Sequence, residues 1–413
     1  MISRPKGTND LLPEDIWRWH KLEELIRKEC ALFNFHEIRT PVFEETKLFQ
    51  RGIGEGTDIV EKEMYTFLDK AERSLTLRPE GTASVVRAFI ENNLQEMGLP
   101  VKLYYLGPMF RYEKPQSGRY RQFHQFGVEC FGSPEPVLDA EVILLASEIY
   151  KKLGIKNVII KLNSIGCQAC RPQYIAKLKD ELKKSKDSLC EDCVRRLDVN
   201  PLRVLDCKEE KCKAITKSLP PIYDYLCPEC KEHFNKLKQI LNLFELSYVE
   251  EPRLVRGLDY YTKTVFEFTV ENLGAQNAIG AGGRYDKLVE EVGGKPTYAV
   301  GFAMGIERSL QVGGALWQKE PDVDLYIISI GDQTKEEALR QLRLARQKGL
   351  KTELDTLNRS VKAQFKQADK LKAKFCLILG PDELLQGQVK LKNMQSGEEL
   401  QLPLGDWLGG IIL

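Results

Sequence analysis

Apolar residues recur at helical spacing between Ile16 and Phe33, where Trp17, Leu22, Leu25, Ile26, Cys30 and Phe33 predict an amphipathic helix. Glu37 to Val42 reads as a strand entering a turn, with Pro41 at its end or edge because proline cannot donate to a ladder. Strands are expected at Leu75–Leu77 and Leu103–Phe110, and a helix at Val85–Asn92. Phe123–Phe131 should return antiparallel to Leu103–Arg111. Leu138–Leu153 predicts a helix closed by Gly154, followed by a short buried strand at Val158–Leu162. From Cys167 to Phe234 the texture changes to lysines, acids and paired cysteines, which reads as an insertion packing a small separate unit. Strand texture resumes at Val255, and Thr264–Val270 alternates cleanly. Gly280-Ala281-Gly282-Gly283 reads as a tight backbone segment before Arg284-Tyr285-Asp286, and Ala299–Leu310 as a strand or turn running into a helix.

A boundary is expected near Lys319–Asp322. Beyond it Leu325–Ile330, Lys351–Leu354 and Phe375–Leu379 read as strands, alternating with helices at Glu336–Gln347 and Ser360–Leu371. That alternation predicts a small α/β unit with a partly parallel sheet. The expected layout is a first domain over residues 1–320, interrupted at 165–250, and a second over 321–413.

The length of 413 residues allows about three domains. Hydrophobic content of 42% and charged content of 29% are ordinary for a globular chain. A net charge of +1 offers no global field for nucleic acid, so any such contact must come from local patches. There is no run of ~18 apolar residues to span a membrane. Met1 to Gly7 lacks the apolar core of a secretory leader, and a cytoplasmic location is expected.

The densest chemistry lies on one hairpin. Phe110-Arg111-Tyr112-Glu113 is followed by Arg119-Tyr120-Arg121-Gln122-Phe123-His124-Gln125. A guanidinium at Arg111 can bind two phosphate oxygens, Glu113 can accept from an adenine amino group, and Phe123 can stack on the ring. No P-loop is present, so ATP would be held by side chains. A surface Arg–Glu pair beside a core phenylalanine is the plainer reading of the same residues.

This hairpin resembles motif 2 of class II aminoacyl-tRNA synthetases, in the version of the histidyl-tRNA synthetase family. Arg78-Pro79-Glu80-Gly81-Thr82 resembles that family's amino-acid site. Arg256-Gly257-Leu258-Asp259-Tyr260-Tyr261 and Gly282-Gly283-Arg284-Tyr285-Asp286 resemble its two histidine signatures. Gly301–Arg308 is similar to motif 3, and the segment around Pro41 to motif 1, the dimer element. Several motifs in the right order are far more specific than any one alone.

The resemblance implies an α+β class II catalytic domain, an antiparallel sheet with flanking helices. A Cys-rich insertion and a C-terminal α/β anticodon-binding domain complete it. It implies ATP with Mg2+, L-histidine and tRNA(His) as substrates, and a homodimer. Glu80, Thr82 and Gln125 would hold the histidine ammonium, with Gly81 and Tyr260 in the same signatures. Glu129 and the Tyr261 hydroxyl would meet the two imidazole nitrogens. Arg256 would face Arg111 across the α-phosphate, and Arg308 would hold the γ-phosphate. Gln116, Arg119 and Arg121 would face the tRNA acceptor end, beside Lys114, where many relatives carry Arg. Arg340, Arg343, Lys362 and Lys366 belong to a basic set that would serve anticodon binding. The histidine carboxylate itself attacks ATP, so catalysis is positioning plus charge stabilisation, with no protein nucleophile.

Plainer readings stand beside these: Glu129 as a strand-end surface carboxylate, Tyr261 as a hairpin aromatic, and Arg308 paired with Glu307. A rival function is the synthetase-like regulatory subunit of ATP phosphoribosyltransferase, which usually lacks the C-terminal domain and erodes the ATP-binding arginines. Eight of the eleven cysteines fall at Cys167, Cys170, Cys190, Cys193, Cys207, Cys212, Cys227 and Cys230. Such spacing suits tetrahedral zinc in a structural role, in up to two sites of unspecified pairing. A free-thiol cluster or a redox switch are the alternatives.

Overall fold

The computed structural model describes residues 2–54, 57–113, 118–271, 277–314 and 317–411. The chain divides into two compact units, Met1–Trp317 and Gln318–Leu413.

In the first unit, β1 (His36–Glu37) precedes a small antiparallel sheet of β2 (Phe43–Glu45), β3 (Tyr65–Leu68) and β4 (Ser74–Leu77). β5 (Val101–Phe110) and β6 (Gln122–Phe131) pair antiparallel from Val101–Phe131 to Phe110–Gln122, the expected antiparallel hairpin. β7 (Ile159–Ser164), β8 (Tyr248–Glu250), β9 (Thr262–Thr269), β10 (Ala278–Arg284) and β11 (Ala299–Gly305) complete an eight-stranded sheet. Its order is β1-β5-β6-β11-β10-β9-β7-β8, antiparallel except at its two ends. The segment Gly280–Gly283 is therefore the middle of a central strand and not a turn. Glycine is required there because a Cβ at Gly280 would run into the Tyr150 hydroxyl and the Phe302 ring.

Helices α1 (Pro13–Leu32), α2 (Thr46–Ile53), α3 (Thr82–Glu91) and α4 (Pro136–Lys152) flank the strands. α1 buries Trp19, Leu22, Ile26 and Cys30, one stripe at helical spacing, against α4. The buried tryptophan is thus Trp19; Trp17 stays half-buried and donates Nε1–H to the Glu14 carbonyl. α4 sets Tyr150 against Phe268 and Phe302 of the sheet. Each such fully buried large side chain contributes roughly 1.5–3 kcal/mol relative to exposure.

The Cys-rich segment holds α5 (Arg171–Lys184), α6 (Glu191–Val199), α7 (Glu210–Lys217) and α8 (Pro228–Leu243). It does not stand apart as the expected separate unit. Tyr174, Leu178, Leu197 and Val204 share one core with Val85, Leu103 and Tyr105, while Phe234, Leu237 and Leu241 join the core under α4. Its apolar side chains pack into the same cores as those of the eight-stranded sheet. α9 (Leu288–Val292) and α10 (Ile306–Val312) complete the first unit.

The second unit has β12 (Leu325–Ser329), α11 (Lys335–Gln347), β13 (Thr352–Leu354), α12 (Val361–Lys370) and β14 (Phe375–Leu379), as the alternation predicts. β13-β12-β14 are parallel. An antiparallel hairpin, β15 (Gln388–Asn393) and β16 (Glu399–Pro403), extends the sheet beyond the expected elements. The fully buried Trp407 donates to Gln341 Oε1 at 2.6 Å and anchors the chain end to α11. Among the described residues, no helix is long and apolar enough to cross a membrane.

Candidate active site

A cleft of about 280 Å³ opens between the start of α3, strands β5, β6, β10 and β11, and the loop that carries Arg256 to Tyr261. Of the residues expected from sequence, it collects Glu80, Thr82, Gln125, Glu129, Tyr260 and Tyr261. It also collects Arg111, Glu113, Arg119, Phe123, Arg256 and Arg308.

Glu129 is the organising group. It projects from β6, is 1% exposed, and both its oxygens are engaged. Thr82 Oγ1 donates to Oε1 at 2.7 Å, and the Tyr285 hydroxyl donates to Oε2. Burial drives its carboxyl up to about 8; the Tyr285 and Thr82 hydroxyls oppose the rise, and the Glu80 charge adds to it. Glu129 is therefore an interior residue and not a strand-end surface carboxylate. Its neighbour across the ladder is Gly301, and a Cβ there would fall on Glu129 Oε2 and the Val128 carbonyl. A glycine at this position of motif 3 makes room for the carboxylate.

Glu80 caps α3: its carboxylate accepts the backbone N–H groups of Thr82 at 2.7 Å and Ala83 at 2.9 Å. Burial raises its pKa despite those two bonds. Gly81 does not line the cleft; it lies under the Tyr105 ring, which would clash with any Cβ at that position. Gln125 Oε1 is buried with no partner among the described residues, an acceptor facing a cleft that can supply a donor. Tyr260 packs against Tyr261 and Tyr285, with ring centroids 4.7 and 5.6 Å apart.

Backbone carbonyls hold the guanidiniums of Arg111 and Arg308, and a carboxylate holds that of Arg256. Arg111 Nε donates to the Pro79 carbonyl at 2.8 Å, and its guanidinium lies 5.4 Å from the Phe123 ring centroid. Arg308 NH1 donates to the Ala278 carbonyl at 2.8 Å. Glu307 does not pair with it and instead accepts from the backbone N–H of His124, with His124 Nδ1 also at 2.9 Å. Arg256 NH1 donates to Glu267 Oε2 at 2.7 Å, and its buried Nε has no described partner. Glu113 carries an ion pair with Arg119 at 2.9 Å. Arg121 lies outside the cleft lining, its guanidinium 3.9 Å above the Tyr112 ring. Lys114 and Gln116 fall outside the described residues.

Two signature arginines turn out to be braces. Arg78 is buried and bonds the carbonyls of Thr40, Pro41 and Pro108, tying the Pro41 segment to β5. Arg284 is fully buried and pairs with Asp139 of α4 at 2.7 Å. Sequence reasoning missed Tyr285, Glu267 and Tyr105 as cleft or support residues. Tyr285 sat inside a quoted signature; Glu267 and Tyr105 gave no signal beyond strand alternation.

The sequence profile described as Histidyl-tRNA synthetase matches residues 7–308, and one described as Anticodon binding domain matches 324–412. The histidine–tRNA ligase of Desulfitobacterium hafniense is 53% identical over 410 residues, covering 98% of this chain and 96% of that protein. That of Halothermothrix orenii is 50% identical, covering 98% and 97%. The apo crystal structure of the S. aureus histidyl-tRNA synthetase superposes with a TM-score of 0.85 at 40% identity, covering 99% of each chain. The chain belongs to the histidyl-tRNA synthetase family.

In this family member the eight paired cysteines form two groups, Cys167/Cys170/Cys227/Cys230 and Cys190/Cys193/Cys207/Cys212. Within each group the four sulfurs lie within 4.8 Å of one another. The Cys167–Cys170, Cys167–Cys227 and Cys170–Cys230 sulfurs are 3.7, 3.9 and 3.9 Å apart, and those of Cys190 and Cys207 are 3.8 Å apart. A tetrahedron with metal–sulfur bonds of ~2.3 Å has edges of about 3.8 Å. The spacing fits a shared metal and is far too long for disulfides. Both groups brace the synthetase cleft. Arg171, next to Cys170, donates to the Tyr261 carbonyl at 2.6 Å. Between the second group's knuckles, Asn200 bonds Asp259 at 2.6 Å and Arg203 bonds the Gly257 carbonyl at 3.3 Å.

Proposed function

We propose that this chain is a histidine–tRNA ligase: it joins L-histidine to ATP as histidyl-adenylate, then transfers the histidyl group to tRNA(His). The observation that carries the reading is one cleft in which a buried, doubly held Glu129 faces Tyr261 while Arg111, Arg256 and Arg308 line the same space.

A histidine ligand offers an ammonium, a carboxylate and two distinct ring nitrogens. The unpaired Gln125 Oε1 and Thr82 would receive the ammonium, with Glu80 behind them setting the helix start. Glu129 and Tyr261 would bracket the imidazole. A ligand lacking either nitrogen leaves a buried polar group unpaired, which is how such a site rejects near-isosteres by large factors. ATP enters as its Mg2+ complex. Arg111 and the free Nε–H of Arg256 would stabilise charge growing on the α-phosphate as the histidine carboxylate attacks, and Arg308 would hold the γ-phosphate until pyrophosphate leaves. Phe123 would stack on adenine, with Arg111 on the same ring. Arg119 would turn from Glu113 toward the tRNA acceptor end.

The regulatory-subunit alternative has less support, because the arginines are intact and in place and residues 324–412 match an anticodon-binding domain. We place the enzyme in the cytoplasm as a homodimer. Supporting the dimer is an apolar surface on the small sheet, where exposed Phe43 and Phe67 pair their rings at 6.4 Å beside exposed Leu68. The two cysteine tetrahedra would hold structural Zn2+, one ion each. Metal analysis of protein purified without chelator should find two zinc ions per chain, and free titratable thiols in their place would refute this. The functional test is charging of tRNA(His) with labelled histidine. Acid-stable attachment of histidine to that tRNA is expected; histidine binding without charging would favour the regulatory alternative.

A further inference from the structure

A second cavity, of about 530 Å³, adjoins the cleft and shares Arg119, Arg256, Ala278 and Arg308 with it. Eight Lys and Arg side chains line this cavity against three carboxylates. Several of the cations are already engaged: Arg256 with Glu267, Lys213 with Glu210, and Arg253 with the Thr216 and Lys217 carbonyls. Lys208 is not. Its ammonium makes no hydrogen bond or ion pair with any described residue, although it lines the same wall as Arg119, Arg256 and Arg308. The Lys208 side chain is exposed on the cavity wall that it shares with Arg119 and Arg308. Cations outnumber carboxylates on this wall, and such a surface attracts an anion.

The position of Lys208 is set by the second cysteine group. Cys207 precedes it directly and is one of the four sulfurs of that tetrahedron. The chain just before, Asn200 to Val204, is fastened to the Arg256 loop through Asp259 and Gly257. A lysine on an unconstrained loop would lose backbone entropy on meeting a ligand; the backbone of one that follows the buried Cys207 has lost much of it already.

We propose that Lys208 is a further phosphate-binding residue of the activation reaction, presented by Cys207 of the second sulfur tetrahedron to the β- and γ-phosphates of ATP and to the departing pyrophosphate. The inference rests on the ATP-activation reading above. Lys208 then acts beside Arg308 at the end of the nucleotide remote from the α-phosphate. The second cysteine group thereby supports substrate binding as well as the fold.

The test compares Lys208→Ala and Lys208→Arg with the wild-type full chain, in ATP–pyrophosphate exchange, pyrophosphorolysis of histidyl-adenylate and tRNA charging. Losing one charge-assisted contact should raise the KM values for ATP and for pyrophosphate by about tenfold in Lys208→Ala. The KM for histidine and the zinc content should not change, and Lys208→Arg should recover most of the loss. Unchanged ATP and pyrophosphate parameters in Lys208→Ala would overturn the proposal. So would a defect confined to the KM for tRNA, which would assign the cavity to nucleic-acid phosphates. A rise in KM that tracks zinc loss and is not rescued by arginine would also overturn it, leaving Lys208 a merely structural part of the knuckle. Absence of exchange in the wild type would instead remove the activation reading itself.

Discussion

Replacing Arg256 by Ala tests the assignment of phosphate chemistry most sharply. The guanidinium is anchored at 2.7 Å to Glu267, and its buried Nε–H has no described partner, so a donor is held ready at the cleft wall. Removing one such preorganised donor costs about 2.7–4 kcal/mol of transition-state stabilisation, or roughly 10²–10³ in rate. Glu267 also loses its ion pair, but its side chain is 19% exposed, so water can take over and the stability cost is about 1 kcal/mol. The two effects separate in Glu267→Gln, which weakens the anchor while keeping the guanidinium, and should lower the rate by about tenfold or less. Histidine-dependent ATP–pyrophosphate exchange reports the rate, and calorimetry reports histidine binding. The expected result is a collapse of kcat in Arg256→Ala with histidine affinity nearly intact. An exchange kcat that falls less than about tenfold would refute the reasoning, because a donor on the developing charge cannot be that cheap to lose.

Glu129→Gln should raise the KM for histidine by about tenfold or more, since an amide cannot accept from both the Thr82 and Tyr285 hydroxyls and still face the imidazole; an unchanged KM would remove Glu129 from ring recognition. The same carboxyl links folding to pH. Its folded pKa of about 8 lies above the ordinary carboxylate value of 4.5, so its contribution to stability is fully present below about pH 4.5 and is lost as pH rises toward 8. Urea denaturation of wild type should therefore show a larger fall in stability between pH 5 and 8 than Glu129→Gln, and parallel profiles would contradict the shift. Gly301→Ala should abolish histidine activation with the fold retained by circular dichroism, because its methyl would displace the Glu129 carboxylate; full activity would show that the carboxylate can move aside.

Most elements were legible from their apolar runs and stripes. β5, β6 and α4 carry long apolar runs, α1 carries an apolar stripe, and the hairpin brings Arg111, Glu113, Phe123, Gln125 and Glu129 to one cleft. Less legible was whatever depends on packing between distant segments. Gly280 and Gly301 look like turn residues in a sequence, yet they lie mid-sheet because Tyr150, Phe302 and Glu129 fill the space a Cβ would take. The C-x2-C spacing fixes each knuckle but not its mate; the fold joins Cys167/Cys170 to Cys227/Cys230 and so encloses the other four cysteines between them. The insertion looks independent because its composition differs, whereas its leucines close the core of the sheet. The hairpin at Gln388–Pro403 carried a readable signal, since Val389 and Leu391 alternate with lysines before a turn at Asn393–Gly397.

The most direct test of the account is ATP–pyrophosphate exchange by the wild-type chain across a panel of amino acids and histidine analogues lacking one ring nitrogen. Exchange with L-histidine, and little with the analogues or any other amino acid, is the predicted result. Exchange that tolerates the loss of either nitrogen, or that prefers a different amino acid, would contradict a site built around Glu129 and Tyr261.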